Sequence, residues 1–132
     1  MYAAYDALPA EMKRHIADLR VLHKWDSSRK GTRVATLSAT MPDATHPLVR
    51  THPETGRKSL YINPNRMEQI VGMARADSDA LLDQLIAHAI QPQYQYRHKW
   101  RQGDIVIWDN RCTMHKANAD YPTARGASCT AS

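Results

Sequence analysis

The stretch W-R-Q-G-D-I-V-I-W-D-N-R-C-T-M-H-K-A-N-A-D, residues 100–120, carries the strongest structural signal in this chain. Its first half holds a β-branched and aromatic run from Ile105 to Trp108, which is typical of a half-buried strand. Asp109 and Asn110 follow, and their short polar side chains favour a turn because they can bond to the local backbone. Apolar residues then resume. The stretch therefore predicts a strand, a tight turn and a second strand.

His115 lies on the second arm of this predicted hairpin. A histidine held just after a rigid turn on a sheet can aim one ring nitrogen at a fixed point, as a metal ligand must. The position equally suits a histidine that makes only structural hydrogen bonds, which is the commoner role of a lone histidine beside apolar residues. Residue types alone leave both roles open.

Three segments together resemble a known family. They are W-D-N-R-C-T-M-H from Trp108 to His115, H-P-L-V-R-T-H-P-E-T-G-R-K-S-L-Y-I-N from His46 to Asn63, and M-Y-A-A-Y-D-A-L-P from Met1 to Pro9. In this order they resemble the taurine dioxygenase/phenoxyacetate dioxygenase (TauD/TfdA) family of Fe(II)- and 2-oxoglutarate-dependent oxygenases. The resemblance covers about residues 1–125 and corresponds to the C-terminal half of a family member.

The resemblance implies an α+β fold, a partial double-stranded β-helix (jelly roll) with flanking helices. We expect one partial dioxygenase domain over residues 1–132, divided into a helical part (1–25), a loop or lid (26–45), half of the β-helix with one inserted helix (46–125) and an aberrant tail (126–132). Half of such a β-helix leaves sheet edges and an apolar face uncovered, so marginal stability or aggregation is expected.

The resemblance also implies that His115 is an iron ligand, the distal histidine of a site built from two histidines and one carboxylate. Fe(II), with 2-oxoglutarate and O2 as co-substrates, would oxidise a small, anionic organic substrate while 2-oxoglutarate is decarboxylated to succinate and CO2. In relatives, the other ligands form an H-x-D pair upstream of the segment that begins here at Met1. We therefore expect a dioxygenase fragment that is inactive alone.

The far carboxylate of 2-oxoglutarate needs a cation, and the arginine fork matches it best. In relatives two adjacent arginines follow the D-Y-P letters; Arg125 matches the first, and Gly126 stands where the second, co-substrate arginine belongs. Arg125 is thus the remaining candidate for 2-oxoglutarate binding. One choice of codons for residues 125–132, read two bases later, encodes Arg-Arg-Ile-Met-His-Arg-Val, the family's ending. A frameshift near Arg125 is our hypothesis for the tail.

Composition bounds the class of protein. The chain has 132 residues, 42% hydrophobic and 23% charged, as expected for one globular domain. No apolar run approaches the roughly 18 residues of a membrane span, so no membrane partner is expected. Two cysteines, Cys112 and Cys129, make no disulfide framework, and the absence of a secretory signal pattern agrees with a cytoplasmic location.

The net charge of +5 admits nucleic acid as a partner, but Lys and Arg are scattered along the chain, so we expect none. The charge fits either surface solubility or attraction of small anions, and the resemblance favours the second, because the co-substrate of this family is a dicarboxylate. Self-association into a homo-oligomer is left open. The alternative function is a non-catalytic remnant that binds a partner chain, such as a separately encoded N-terminal half.

Elsewhere, periodicity predicts the remaining elements. Apolar spacing extends a helical pattern to Trp25, whereas residues 26–42 have no period. A hairpin is predicted over residues 46–63, and its H-x-E letters, His52 and Glu54, are assigned to the tip rather than to a metal. A helix is predicted with caps at residues 77–79 and an end before Pro92. We also expect a short helix or loop over 65–73, a strand over 94–100, and surface positions for His15, His23 and His88.

Overall fold

The structure is a computed structural model that describes residues 1–25, 27–30 and 42–118. Its helices and strands, in chain order, are α1 (Tyr2–Asp6), α2 (Ala10–Ile16), β1 (Arg20–His23), β2 (Ala44–Pro47), β3 (Val49–Thr51), β4 (Lys58–Leu60), β5 (Met67–Ile70) and α3 (Arg75–Ala89). Short 3₁₀ turns lie at Ser28–Lys30 and Pro92–Tyr94. The expected mixture of helices and antiparallel sheet is confirmed for the described residues.

A three-stranded antiparallel sheet has the order β2-β1-β5. Val21 at its centre is fully buried and lies opposite His46 on one side and Ile70 on the other. The predicted helix over residues 1–25 is therefore wrong from Arg20 onward. The spacing of Leu19, Val21 and Leu22 resembles the apolar face of a helix. In the strand, however, Val21 is buried and Leu22 is only half-buried. The expected helix or loop at residues 65–73 is likewise replaced by β5.

The predicted hairpin is confirmed in β3 and β4, although β2 takes the residues at its start. Leu60 pairs with Val49, and the turn covers residues 53–55. Gly56 has a φ of +67°, a left-handed conformation that glycine adopts without steric cost. This hairpin presents its tip to the segment that follows α3.

Helix α3 packs one face into the core, as its apolar spacing predicts, and begins two residues before the predicted caps. Ala74 is the N-cap, and it makes no side-chain cap bond. Ser78 is fully buried, and its Oγ accepts a 2.8 Å hydrogen bond from the Ile70 backbone N–H at the end of β5. His88 is half-buried rather than exposed, with Nε2 2.8 Å from the Ala4 carbonyl oxygen of α1.

One core joins these elements. It is formed by buried apolar side chains of the three helices, the two sheets and the segments that connect them: Ala4, Leu8, Ile16, Val21, Leu48, Val49, Leu60, Ile62, Met67, Ile70, Leu81, Leu82, Leu85, Ile86 and Ala89.

The strands predicted over residues 94–100 and 105–108 are not formed. Within the described chain, this segment pairs with no strand, and it exposes 86% of Ile105, 90% of Ile107 and 66% of Trp100. The β-propensity of these side chains expresses their fit to a pleated, half-buried surface. Without a neighbouring strand to accept and donate backbone hydrogen bonds, β-propensity alone does not produce a strand.

The loop or lid expected over residues 26–45 falls mainly on residues 26 and 31–41, which lie outside the described residues. Arg125 and the tail lie outside them as well. Its described parts are the 3₁₀ turn and the start of β2. Among the helices of the described ranges, none is long and apolar enough to cross a membrane.

Glu68 of β5 ties the first 3₁₀ turn to α3. Its Oε1 accepts hydrogen bonds of 2.7 Å from Arg75 and from the Ser28 hydroxyl, and its Oε2 accepts one of 2.7 Å from the Ser28 backbone N–H. Burial alone would raise the Glu68 pKa, but these hydrogen bonds outweigh burial and hold the pKa at about 2. Arg29 adds a buried contact to α3 through Asp79.

We expect Glu68→Gln to lower the free energy of unfolding by about 2 kcal/mol at pH 7, because the amide cannot replace both charge-assisted acceptors. The folded-state pKa of Glu68 lies below its unfolded value, so its contribution is present above about pH 4.5 and is lost as the pH falls through about 2. Urea unfolding followed by circular dichroism at pH 7 and at pH 3 measures this.

The difference between Glu68→Gln and the unaltered chain should shrink at the lower pH. Glu11→Gln at an exposed position of α2 is the matched control and should change stability by less than about 0.5 kcal/mol. A Glu68→Gln effect that is equally large at both pH values would contradict the assignment.

Candidate functional site

The turn predicted at Asp109 and Asn110 is confirmed and is held by its own backbone. The Asp109 carbonyl oxygen accepts hydrogen bonds from the N–H groups of Cys112, at 3.3 Å, and Thr113, at 3.0 Å. The Trp108 indole N–H donates to the Asn110 side-chain oxygen at 2.9 Å. The chain therefore reverses over residues 109–113 although no ladder is formed on either side of the reversal.

The Asp109 carboxylate joins this turn to the hairpin tip. Arg111 donates to it from its backbone N–H at 2.8 Å and from its guanidinium at 2.7 to 3.0 Å. His52 lies 57 residues earlier, and its Nε2 is 3.0 Å from Asp109 Oδ2. The guanidinium of Arg111, and after it His52, hold the pKa of the Asp109 carboxyl well below its usual range.

His52 is buried, and both of its ring nitrogens have partners. Nδ1 accepts hydrogen bonds from the backbone N–H groups of Glu54, at 3.2 Å, and Thr55, at 3.3 Å. A nitrogen that accepts cannot carry the proton, so neutral His52 must carry it on Nε2 and donate it to Asp109. The hairpin-tip assignment of His52 and Glu54 agrees with this geometry, in which Glu54 also pairs with Arg111 at 3.1 Å.

Ligand atoms of His52, Asp109 and Cys112 lie within 4.8 Å of one another, the one such group of three among the described residues. The donor chemistry does not fit a metal. Binding at His52 Nε2 would displace its proton while Nδ1 still faces two N–H donors, and Asp109 would lose the Arg111 fork. The Cys112 thiol donates to the Asp109 carbonyl oxygen over 3.8 Å.

His115 is exposed and follows Met114, which packs against the core. Its ring lies beside that of Trp108, with 4.7 Å between the ring centroids. The structure shows no hydrogen bond from His115 to the part of the chain that it describes. His115 belongs to no described group of three ligands.

A second histidine cluster escaped sequence reasoning. His23 and His46 lie 5.1 Å apart by ring centroid, and both rings contact Tyr61. His23 was expected at the surface, but it is half-buried, and burial together with His46 lowers its pKa to about 4. The cross-strand pairing of β1 with β2 brings these rings together, and only knowledge of that register could have revealed it. His15 is exposed, as expected.

Comparison with known proteins identifies similar chains. The sequence profile of the family described as taurine catabolism dioxygenase TauD, TfdA family, matches residues 1–128. The alpha-ketoglutarate-dependent 2,4-dichlorophenoxyacetate dioxygenase of Burkholderia sp. (strain RASC) is 40% identical over 129 residues, which cover 95% of this chain and 43% of that protein. Pentalenolactone F synthase of Streptomyces arenae is 39% identical, with 95% and 46% covered.

Solved structures agree. The crystal structure of AAD-2 in complex with Mn(II) and N-oxalylglycine superimposes with a TM-score of 0.76 at 40% identity, covering 85% of this chain and 46% of that one. The chain thus spans less than half the length of the relatives that it matches.

We expect Co(II) added to the purified chain to produce no cobalt–thiolate charge-transfer absorption from Cys112. The hydrogen bonds of His52 and Asp109 keep this group closed to metal, and a lone thiol binds Co(II) weakly. Near-ultraviolet absorption during a Co(II) titration measures this. Cys112→Ser and Cys129→Ser are the paired variants, and a band that only Cys112→Ser removes would contradict the expectation.

Proposed function

The chain belongs to the TauD/TfdA family of dioxygenases, and we propose on that premise that it provides the distal-histidine portion of an Fe(II)- and 2-oxoglutarate-dependent dioxygenase. In fold terms, this is the C-terminal portion of a double-stranded β-helix. The observation that carries the proposal is His115, whose ring has no hydrogen-bonding partner in the described chain and follows directly on a core-anchored turn.

His115 supplies one imidazole to the metal, and a second histidine and a carboxylate complete the set. Iron held in this way would oxidise the substrate with O2, and 2-oxoglutarate would be decarboxylated to succinate and CO2 in the same reaction. The residues of this chain present the imidazole at a fixed place beside Trp108. The chain alone is proposed to be inactive because its described residues offer one ligand of three.

Arg125 is proposed to meet the distal carboxylate of 2-oxoglutarate, on the sequence pattern alone. Its planar guanidinium can bind a carboxylate with two parallel hydrogen bonds. The substrate is proposed to be a small organic anion, since a relative is named for 2,4-dichlorophenoxyacetate and the chain carries a net charge of +5. Nucleic acid and membrane are not proposed as partners, and a cytoplasmic location is part of the same proposal.

A graft tests the proposal. Residues 1–118 of this chain replace the matching segment of the Burkholderia dioxygenase, which keeps its own beginning and ending. We expect Fe(II)-dependent release of succinate from 2-oxoglutarate in the presence of 2,4-dichlorophenoxyacetate. His115→Ala in the graft should lower kcat/KM at least about a hundredfold, because a ligand is lost.

His15→Ala, which removes another exposed histidine, is the matched control and should leave turnover unchanged. The 132-residue chain alone should release no succinate. A cooperatively folded graft without turnover, or a graft in which His115→Ala retains turnover, would show the proposal to be wrong.

A second candidate function, a partner-binding module, is favoured by the exposed apolar side chains of residues 96–108. Ile105 and Ile107 are almost fully exposed, with Tyr96 and Trp100 nearby in the chain. A segment that exposes such side chains without a strand partner favours association with another chain. The partner proposed here is a polypeptide that contributes a strand, either a complementary chain or a second copy.

We expect sedimentation velocity to show concentration-dependent association of the chain in the micromolar range. The double substitution Ile105→Thr/Ile107→Thr keeps β-branching but removes apolar surface, so it should shift the chain toward monomer. Val71→Thr, at a 57% exposed position outside the segment, is the control and should not shift it. Equal association of the double variant and the unaltered chain would contradict this second function.

A further inference from the structure

We propose that Asp109 is a positioning residue for His115, acting through a single tautomer of His52 that fastens the 109–113 turn to the tip of the β3–β4 hairpin. The inference rests on the proposed role of His115 as a metal ligand. Beyond that role, the inference names the residues that orient the His115 imidazole.

The first step is the direction of the hydrogen bond between His52 and Asp109. His52 exposes 5% of its surface, and its Nδ1 faces the backbone N–H groups of Glu54 and Thr55 in the hairpin turn. The turn therefore selects the tautomer with the proton on Nε2. That proton points at Asp109 Oδ2, 3.0 Å away, where the carboxylate is ionised. The hairpin backbone thereby determines that His52 is the donor and Asp109 the acceptor of this hydrogen bond.

The second step is the coupling of Asp109 to the turn. Its carboxylate accepts from the Arg111 backbone and side chain, and its own carbonyl oxygen accepts from Cys112 and Thr113. The same residue thus bonds to the hairpin through its side chain and closes the turn through its backbone.

The third step leads to His115. Ser59 of β4 is fully buried, and its hydroxyl lies 3.5 Å from the carbonyl oxygens of both Arg111 and Arg50, which share its one donor hydrogen. Met114 then packs against the core, and His115 is the next residue. The imidazole thus emerges from a segment bonded at residues 109 and 111 and packed at residue 114. Its proximity to Trp108, on the other side of the turn, reports whether this arrangement is intact.

Two substitutions at His52 separate its two hydrogen-bonding roles. The amide of His52→Asn can still accept from the turn N–H groups through Oδ1, but it is too short to reach Asp109. The amide of His52→Gln can extend an N–H to Asp109, but it loses the acceptor next to the backbone. His52→Asn therefore keeps the turn and breaks the fastening, whereas His52→Gln keeps the fastening. Asp109→Asn weakens it from the other side, because the neutral amide loses the charge-assisted bonds, and an amide nitrogen in place of Oδ2 would face the donors of both His52 and Arg111.

The measurement is solution NMR of the metal-free chain, which does not depend on iron or turnover. Nitrogen-15 shifts of the imidazoles should show His52 protonated on Nε2. We expect the cross-relaxation peaks between the Trp108 and His115 rings to disappear in His52→Asn and Asp109→Asn, and to be retained in His52→Gln. If the hydrogen bonds within the hairpin turn were what mattered, the peaks would be retained in His52→Asn and lost in His52→Gln.

Three results would overturn the inference. They are a His52 ring protonated on Nδ1, Trp108–His115 peaks that persist in His52→Asn, and peaks that disappear equally in His52→Asn and His52→Gln. A melting curve for each variant verifies that the comparison concerns folded chains. If the NMR result is as expected while the graft with the Burkholderia dioxygenase fails to turn over, the positioning stands and the proposed function falls. If the graft turns over while the NMR result contradicts the expectation, only the positioning role falls.

Discussion

The contact between His52 and Asp109 connects two parts of the chain that are 57 residues apart. The segment after α3 has no strand partner among the described residues, so it depends on side-chain bonds for its place on the fold. Asp109 provides them because its ionised carboxylate accepts charge-assisted bonds from Arg111 while it accepts the proton of His52. Arg111 extends the network to Glu54, back on the hairpin. The hairpin tip and the turn are thus one structural unit, and His115 takes its position from that unit.

The histidines of this chain show how the same side chain takes different roles. Which nitrogen can meet a ligand is decided by what the other nitrogen bonds. In His52 the backbone fixes the proton on Nε2, and in His88 and His98 one nitrogen already meets an oxygen of the protein. The rings of His23 and His46 pack together in the sheet. Among the histidines discussed, His115 combines exposure with a fixed backbone that leads directly to it.

Ion pairs also join separate elements at the junction of β5, α3 and the first 3₁₀ turn. Glu68 and Arg75 join β5 to α3, and Arg29 reaches Asp79 from the 3₁₀ turn with only 3% of its side chain exposed. These contacts fix the turn that precedes residues 31–41. The side chains of Ile105 and Ile107 are almost fully exposed, in a segment that pairs with no strand in the described chain. The described residues therefore combine a packed core with a segment that exposes apolar side chains.

By itself the sequence determined the family, the β3–β4 hairpin, the long apolar face of α3 and the turn at Asp109, because each depends on neighbouring residues in the chain. It misplaced β1 and β5 and predicted strands at residues 94–108, because strand formation depends on a distant partner. His115 was predicted to be an iron ligand from its motif, whereas the tautomer of His52 and its bond to Asp109 were decided only by the tertiary structure. Hydrogen-bond direction depends on which groups the fold brings within about 3 Å of each nitrogen, and no local pattern contains that information.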